Sequence, residues 1–599
     1  MLCRSILIAL CAFSVCFAAP PDGAALYKSR CAICHEGQPQ LHMPSHEDLA
    51  SKTPEVVMKA MFEGVMAPQA AGLSEEEGRA IAKFITAKDF SKAAVTPTSV
   101  IPASQCAAVP KPFAIASTDW NGWGQNLSNS RYQPNPGLAA ADVPKLKLKW
   151  AFGFPGDTSV QSQPTVVGGR VFIGSVSGNL YSLDASTGCI YWTYKAGAMI
   201  RTAVTIAKVK GHFIAYFGDI KANAHAVDAE TGAPLWKVKL DDHPVARIVG
   251  SPTFYDGRLY VPISSIEEAS AMSPAYECCK FRGSIASLDG ETGRLIWKSF
   301  TVLDPAKPFK TSSTGTQLYG PAGAAVWSSP TVDAKRKLVY AATGDSYTNA
   351  DFNTSDAILA FDLETGKLVW STQATAKDNF TMACGQSGKA NCPEDKGPDF
   401  DFGTSPALRS IGGKDLLVVG QKSGVLWAFD PDNKGKIVWQ TRIGIGGALG
   451  GIEWGHATDD QNSYAAISDR FKGPGLVSAV DLKTGEKLWT KMTPDTGCKR
   501  GTPGCQTAMS AAISVIPGIV FAGGVDGHFR AYDSKTGDIV WDFDAARSFE
   551  TVNGVTAKGG SFDAPGPVVA NGMVFTPSGY GMWGGSAGNV LLVFSVDGK

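Results

Sequence analysis

From about residue 146 to its end the chain is written in short runs of alternating apolar and polar residues, each closed by a turn. Gly178-Asn179-Leu180-Tyr181-Ser182-Leu183 shows the pattern, and period two predicts a strand with one buried face. After it comes Asp, two residues, Thr-Gly, three residues, Trp, and this unit recurs. Copies stand at Asp184-Thr187-Gly188-Trp192, Asp228-Thr231-Gly232-Trp236, Asp289-Thr292-Gly293-Trp297 and Asp362-Thr365-Gly366-Trp370. Two more are Asp481-Thr484-Gly485-Trp489 and Asp533-Thr536-Gly537-Trp541, and a degenerate one runs from Asp430 through Gly435 to Trp439. The Asp-to-Asp steps of 44, 61, 73, 68, 51 and 52 residues mark one supersecondary unit each, the long ones carrying insertions. Asp can bond the turn's backbone, Gly takes a conformation other residues resist, and Trp gives an outer strand a large apolar plate.

A four-stranded sheet of this kind cannot bury both faces alone, so such sheets pack radially. Leu146-Lys147-Leu148-Lys149-Trp150 is a lone outer strand before the first copy, and Val590-Leu591-Leu592-Val593-Phe594 is a strand at the end with no Trp after it. Joined, they make an eighth blade that closes the ring and removes an exposed edge. The expectation for 118–599 is an all-β eight-bladed propeller.

Ahead of that region the period changes. Leu73-Ser74-Glu75-Glu76-Glu77 runs into Ile81, Phe84 and Ile85, and Ser74 with Glu77 forms a capping box before a helical apolar face. Residues 20–90 read as a small all-α domain. Residues 91–117 carry Pro97, Pro102, Pro110 and Pro112 among Ala, Ser and Thr, which is linker composition.

Composition narrows the function classes. With 55 basic and 55 acidic residues and no basic run, nothing follows a phosphate backbone, and nucleic-acid binding is not expected. Arg4, the apolar run Ile6 to Phe17 and the small pair Ala18-Ala19 read as an export signal over 1–19. No later stretch reaches about 18 unbroken apolar residues, so no stable membrane insertion is expected and the location implied is periplasmic or secreted. Beyond the signal and Cys31 and Cys34, eight cysteines remain, an even number that suits disulfides in an oxidising compartment. Cys384 with Cys392 and Cys498 with Cys505 would close small loops, Cys106 with Cys189 is the leftover pair, and Cys278 and Cys279 are neighbours.

Cys31-Ala32-Ile33-Cys34-His35 carries the first chemistry. Two thioethers at this spacing fix a haem c while the adjacent His35 reaches the iron, making the small domain a cytochrome c domain. A redox or zinc CxxC is the competing reading. His42 and His46 are four apart, but Pro44 between them spoils a helical face and leaves zinc without a ligand set. Met66, in Gly64-Val65-Met66-Ala67-Pro68, resembles the loop methionine of small class I cytochromes c and is the favoured sixth ligand. Met43, Met58, Met61 and His46 compete with it.

The repeats, the eight-fold closure and the segment holding Asp119-Trp120, Gly124 and Arg131-Tyr132 resemble pyrroloquinoline quinone (PQQ) dependent alcohol dehydrogenases. An amino-terminal cytochrome ahead of the propeller is similar to the branch that oxidises polyvinyl alcohol. The resemblance implies roles for residues between the repeats. Trp327, in Ala325-Val326-Trp327-Ser328-Ser329-Pro330, matches the tryptophan under the quinone ring. Asp345, in Ala342-Thr343-Gly344-Asp345, stands where the family places an asparagine calcium ligand, and it remains an oxygen donor suited to a hard cation. Glu267, with Glu268 beside it, is similar to the family's glutamate ligand. In Asp399-Phe400-Asp401-Phe402-Gly403, Asp401 matches the catalytic base, which also approaches the calcium, with Asp399 as the alternative. Lys422 falls where the family sets a cation against the quinone oxygens, and Trp454 is a further pocket candidate. The family carries a vicinal disulfide beside the cofactor, which implies a Cys278–Cys279 bridge here.

The implied cofactors are thus PQQ, haem c and Ca2+. The implied reaction removes hydride from a secondary alcohol, with Asp401 taking the hydroxyl proton and electrons leaving through the haem to an external cytochrome or other acceptor. The substrate would be a polymeric alcohol or a small one. A quinohaemoprotein for small alcohols or sugars is the rival enzyme, and an envelope scaffold propeller with a tethered haem is the rival non-enzyme.

Overall fold

In the computed structural model, which describes residues 21–36, 44–62, 66, 70, 73–90, 105–107, 113–349, 352–385, 390–496 and 504–599, each copy of the repeat sits where one β-sheet meets the next. The Asp side chain closes the turn. Asp184 Oδ1 accepts from the backbone N–H of Ser186 and Thr187 and from the Thr187 hydroxyl, and Asp228, Asp362 and Asp481 repeat all three bonds. The glycine adopts a left-handed backbone, with φ of 75° at Gly232 and 73° at Gly293. It also lies under the tryptophan of the preceding blade: a Cβ added to Gly232 would stand 2.6 Å from the Trp192 ring. Trp192 Nε1 in turn donates to Ala229 O at 3.2 Å, so ring and glycine lock two blades together. The repeat is therefore a docking device between successive sheets, more than an outer plate on one of them.

Eight sheets follow one another, seven with four strands and one with five. The ring closes as the sequence implies. Leu146–Gly153 pairs antiparallel with Val590–Val596, Leu146 opposite Val596, and Trp541 Nε1 donates to Leu146 O at 3.1 Å. Apolar clusters form between neighbouring blades, as where Phe172, Ile200 and Val204 meet Trp192 and Phe217.

Among the described residues amino-terminal to the ring lie five short helices: α1 (Gly23–Arg30), α2 (Ala32–His35), α3 (His46–Ala50), α4 (Pro54–Phe62) and α5 (Glu75–Thr86). Ser74 and Glu77 form the expected capping box on α5. Helices α1 and α5 cross closely because Gly23 has no side chain; a Cβ there would stand 2.2 Å from Ala80 O. Tyr27, Val57, Met61, Ile81 and Ile85 make the core beneath.

Among the described residues three bridges close: Cys384–Cys392 and the leftover pair Cys106–Cys189, as the even cysteine count suggests, and Cys278–Cys279, as the family resemblance implies. Cys505 is disulfide-bonded, while Cys498 lies outside the described residues. So do residues 1–19, expected to be an export signal, and most of 91–117, expected to be a linker. No helix among the described residues is long and apolar enough to cross a membrane.

Candidate active site

Every blade is entered through a loop, and one position in that loop faces the axis. Four residues before the blade's first strand, or three in the sixth blade, this position holds Gln161, Arg201, Val249, Trp327 and Trp454, all lining one cavity of about 350 Å3. The equivalent residue of the fifth blade is Gly403. Its lack of a side chain makes room for Trp327, whose Cη2 would stand 2.0 Å from an added Cβ. Trp327 and Trp454 meet edge to face at 4.9 Å, giving the cavity an aromatic floor.

Acid groups gather on one side. Carboxylate oxygens of Asp345, Asp399 and Asp401, all buried, lie within 4.8 Å of one another. The backbone N–H of Asp345 donates to Asp401 Oδ1 at 2.7 Å. Gly344 permits this approach, since a Cβ there would lie 2.7 Å from the same oxygen. The loop carrying the two aspartates is held by Asp378, which accepts from the N–H of Asp399 at 2.9 Å and of Phe400 at 2.6 Å. Lys422 joins them: its backbone N–H donates to Asp401 O at 3.0 Å, its ammonium pairs with Asp399, and its Nζ stands 3.7 Å from Asp401 Oδ2.

Burial, followed by the charge of Asp401, pushes the Asp345 carboxyl well above its ordinary range. Burial also raises Asp399, against the pull of Lys422. For Lys422, burial alone would favour the neutral amine, but Asp399, Asp401 and Glu268 outweigh it and hold the ammonium charged. Asp345 Oδ2 is buried with no hydrogen-bond partner. A crowd of buried carboxylates with an unpartnered oxygen is a donor set for a hard divalent cation.

The neighbouring glutamates divide. Glu268, on the short helix α6 (Glu267–Ser270), lines the cavity and is pushed up to about 7 by burial and by Asp401. Glu267 does not line it. Its Oε1 accepts from Tyr276 Oη and Lys280 N and its Oε2 from Phe281 N, so its carboxylate is spent holding the loop after the Cys278–Cys279 bridge. Of the two adjacent glutamates, Glu268 is the one that lines the cavity. The bridge is buried in the cluster against which Trp327 packs, yet neither Cys278 nor Cys279 is among the cavity-lining residues.

Opposite the acids stand groups the sequence did not single out. Arg201 and Arg247 line the cavity, and Arg201 Nη2 and Arg247 Nε are buried without partners. Burial and the charge of Arg201 lower the Arg247 guanidinium to about 10. Arg201 also lies 4.2 Å over the Trp454 ring. Two such cations side by side suit an anionic ligand. Glu453 lines the cavity with Oε1 unpartnered, its carboxyl pushed up to about 8 by burial and then by Asp563. The signal for Arg201 was in the sequence: it occupies the blade-entry position that Trp327 occupies two blades on. Arg247 and Glu453 have no such local mark.

In the helical region Cys31 and Cys34 take part in no disulfide, which leaves both sulfurs for thioether attachment. His35 Nδ1 donates to Pro44 O at 2.6 Å, which fixes the tautomer and leaves Nε2 for a metal. Met66 packs in the cluster that holds Cys31 and Ala32, together with Met58 and Met61. His46 meets Tyr27 edge to face with ring centres 5.1 Å apart and has Nε2 buried and unpartnered, and Met43 lies outside the described residues.

A planar quinone bearing three carboxylates fits this cavity: the tryptophans match its face, the arginines its carboxylates, and Lys422 its carbonyl oxygens. An eight-bladed ring around such a site, with a haem-attachment helix ahead of it, defines a quinohaemoprotein dehydrogenase. Residues 120–389 match the family model described as glucose/ethanol/alcohol dehydrogenase, beta-propeller domain, and residues 18–85 match cytochrome C oxidase, cbb3-type, subunit III. Residues 421–553 and 473–598 match the outer membrane protein assembly factor BamB, which shares the blade repeat.

The chain is 44% identical to a polyvinylalcohol dehydrogenase of Pseudomonas sp., over 97% of this chain and 94% of that one. It is 43% identical to the polyvinylalcohol dehydrogenase of Sphingopyxis sp. strain 113P3, over 96% and 93%. Among solved structures, a quinohemoprotein alcohol dehydrogenase of Pseudomonas putida shares the fold, with a TM-score of 0.61 at 18% identity over 81% of each chain. The chain belongs to the polyvinyl alcohol dehydrogenase family. It is an oxidoreductase that uses PQQ and haem c.

Proposed function

We propose that the protein oxidises secondary alcohol groups of polyvinyl alcohol in the periplasm or outside the cell, passing electrons through its own haem to an external acceptor. One observation carries the reading: Asp345, Asp399, Asp401 and Lys422 converge in a cavity that Arg201 and Arg247 also line, each with a buried guanidinium nitrogen lacking a hydrogen-bond partner. When bound, PQQ supplies a hydride acceptor, calcium a Lewis acid, and haem c a one-electron relay.

The chain's residues do the rest. Asp401 takes the hydroxyl proton, and the Asp345 N–H on its Oδ1 fixes the carboxylate so that Oδ2 faces the cavity. Asp399, tied to Lys422, positions the ammonium and is the alternative base. Glu268, Asp345 and Asp401 hold calcium. Trp327 and Trp454 orient the cofactor, and Arg201 and Arg247 bind its carboxylates. Cys31 and Cys34 would attach the haem, and His35 and Met66 would offer ligand atoms to its iron.

The test is to load the purified protein with PQQ and calcium and measure dye-linked oxidation of polyvinyl alcohol, small secondary alcohols and sugars. Polyvinyl alcohol should turn over with the highest kcat/KM. Turnover of small alcohols or sugars alone would replace the substrate assignment, and no turnover of any of them would sink the reading.

A further inference from the structure

Many exposed apolar side chains of the ring have a reason in the blades. Leu235, Leu295, Val369, Val438 and Leu488 stand on outer strands beside the docking tryptophans. Ile445 and Phe471 do not: they lie on loops, 58% and 56% exposed. Those two loops are laced together at the cavity rim. The first, 443–451, carries the lining residues Ala448 and Leu449, and Leu449 O accepts from Arg470 N at 3.1 Å and from Ser468 Oγ at 3.0 Å. A Cβ built on Gly473 would stand 3.0 Å from Ile445 Cδ1, so Ile445 lies along the second loop.

The strip continues to blade 8. Arg470 is buried, and its Nη1 donates to Trp583 O at 2.8 Å, while Trp583 itself lines the cavity. Phe471 and Trp583 both have a left-handed backbone, with φ of 62° and 52°. That conformation is costly for a bulky side chain, and such residues cluster at ligand sites. The helical region touches the ring elsewhere, with Cys34 against Ala269 and Met272 in blade 3 and Lys59 Nζ 3.9 Å from a Cβ built on Gly156.

We propose that Ile445, Phe471 and Trp583 form a bed for the polymer chain outside the cavity, and that this bed selects polymer over small alcohols. This rests on the function proposed above. A long chain cannot fit within about 350 Å3, so beyond the hydroxyl being oxidised it must run over the surface at the rim. Polyvinyl alcohol places a methylene between every two carbinol carbons. The bed takes those methylenes out of water while the hydroxyls stay solvated. Held there, neighbouring hydroxyls stay at high effective concentration over the cavity.

Phe471→Asn and Ile445→Ser test this, singly and together, in the full-length protein carrying haem, PQQ and calcium. Asparagine tolerates the left-handed backbone, and both sites are exposed, so neither change empties a core. Oxidation coupled to phenazine methosulfate is measured with polyvinyl alcohol of graded length and with a small diol whose two carbinol groups flank one methylene, too short to reach the bed. In the parent, kcat/KM per hydroxyl should rise from the diol to the long polymer. In the double variant it should fall at least about ten-fold for the polymer, through KM, and stay within about two-fold for the diol. Calorimetric titration of the PQQ-free protein with polymer should show the same loss of affinity.

Parental kcat/KM and affinity for the polymer in the double variant would overturn the proposal. So would an equal loss on diol and polymer, or a parent that gains nothing from chain length. A parent that oxidises the diol and not the polymer would instead defeat the substrate assignment on which the proposal rests.

Discussion

Asp401 combines the features a proton acceptor needs: a carboxylate fixed by the Asp345 N–H, close to a charged lysine, and open to the cavity. Asp401→Asn should lower kcat by about 10²- to 10⁴-fold while the variant still binds PQQ, as read by cofactor titration. A variant with parental kcat would pass the role to Asp399. Glu453 makes a different kind of prediction. Its carboxyl titrates near 4.5 when unfolded and near 8 in the folded protein. Between those values the folded state holds a proton that the unfolded state has lost, so stability falls as pH rises through that window. In the PQQ-free protein, Glu453→Gln should lose less thermal stability from pH 5 to pH 8 than the parent; equal losses would show that Glu453 is not held protonated. Among single residues, the sequence marked those sitting in motifs, such as Trp327 and Asp401. It did not mark Glu268 over Glu267, because two adjacent glutamates at a helix start differ only in which way the turn aims them.

At the scale of the element, the repeat was plain in the sequence, and its mechanical meaning was not. Trp192 and Gly232 are 40 positions apart and belong to different copies, so their contact exists only once two blades are stacked. Gly293→Ala should therefore destabilise twice over: its φ of 73° is unfavourable for alanine, and the methyl would press on Trp236 at 2.7 Å. Trp192→Ala should cost about 3–5 kcal/mol in denaturant unfolding, by removing the plate and its bond to Ala229. A loss near zero in either variant would refute the docking role. The same reasoning explains why Arg247 escaped notice. It lies in blade 3, and what marks it as a ligand group is Arg201 from blade 2 beside it and a buried Nε without a partner, neither of which is legible from the local sequence.

For the whole molecule, ring closure turns loops from many blades into one cavity and sets the cytochrome's attachment cysteine against its wall. The number of blades could be counted from the repeats and the two unpaired strands at the ends. The seat of the cytochrome could not, since Cys34 and Met272 are joined by no pattern. The carboxylate cluster also ties cofactor to cation: chelating calcium should weaken PQQ binding, and restoring calcium should recover it, as followed by equilibrium titration. Unchanged PQQ affinity in chelator would remove Asp345, Asp401 and Glu268 from that role.

The central claim is that one chain carries both the alcohol oxidation and the first electron acceptor. Its most direct test is anaerobic mixing of the PQQ- and calcium-loaded protein with polyvinyl alcohol while the haem absorption bands are recorded. The account predicts that the haem becomes ferrous at a rate independent of protein concentration, because the transfer stays within the chain. A haem that stays ferric while dye-linked oxidation proceeds, or a rate that rises with protein concentration, would contradict it.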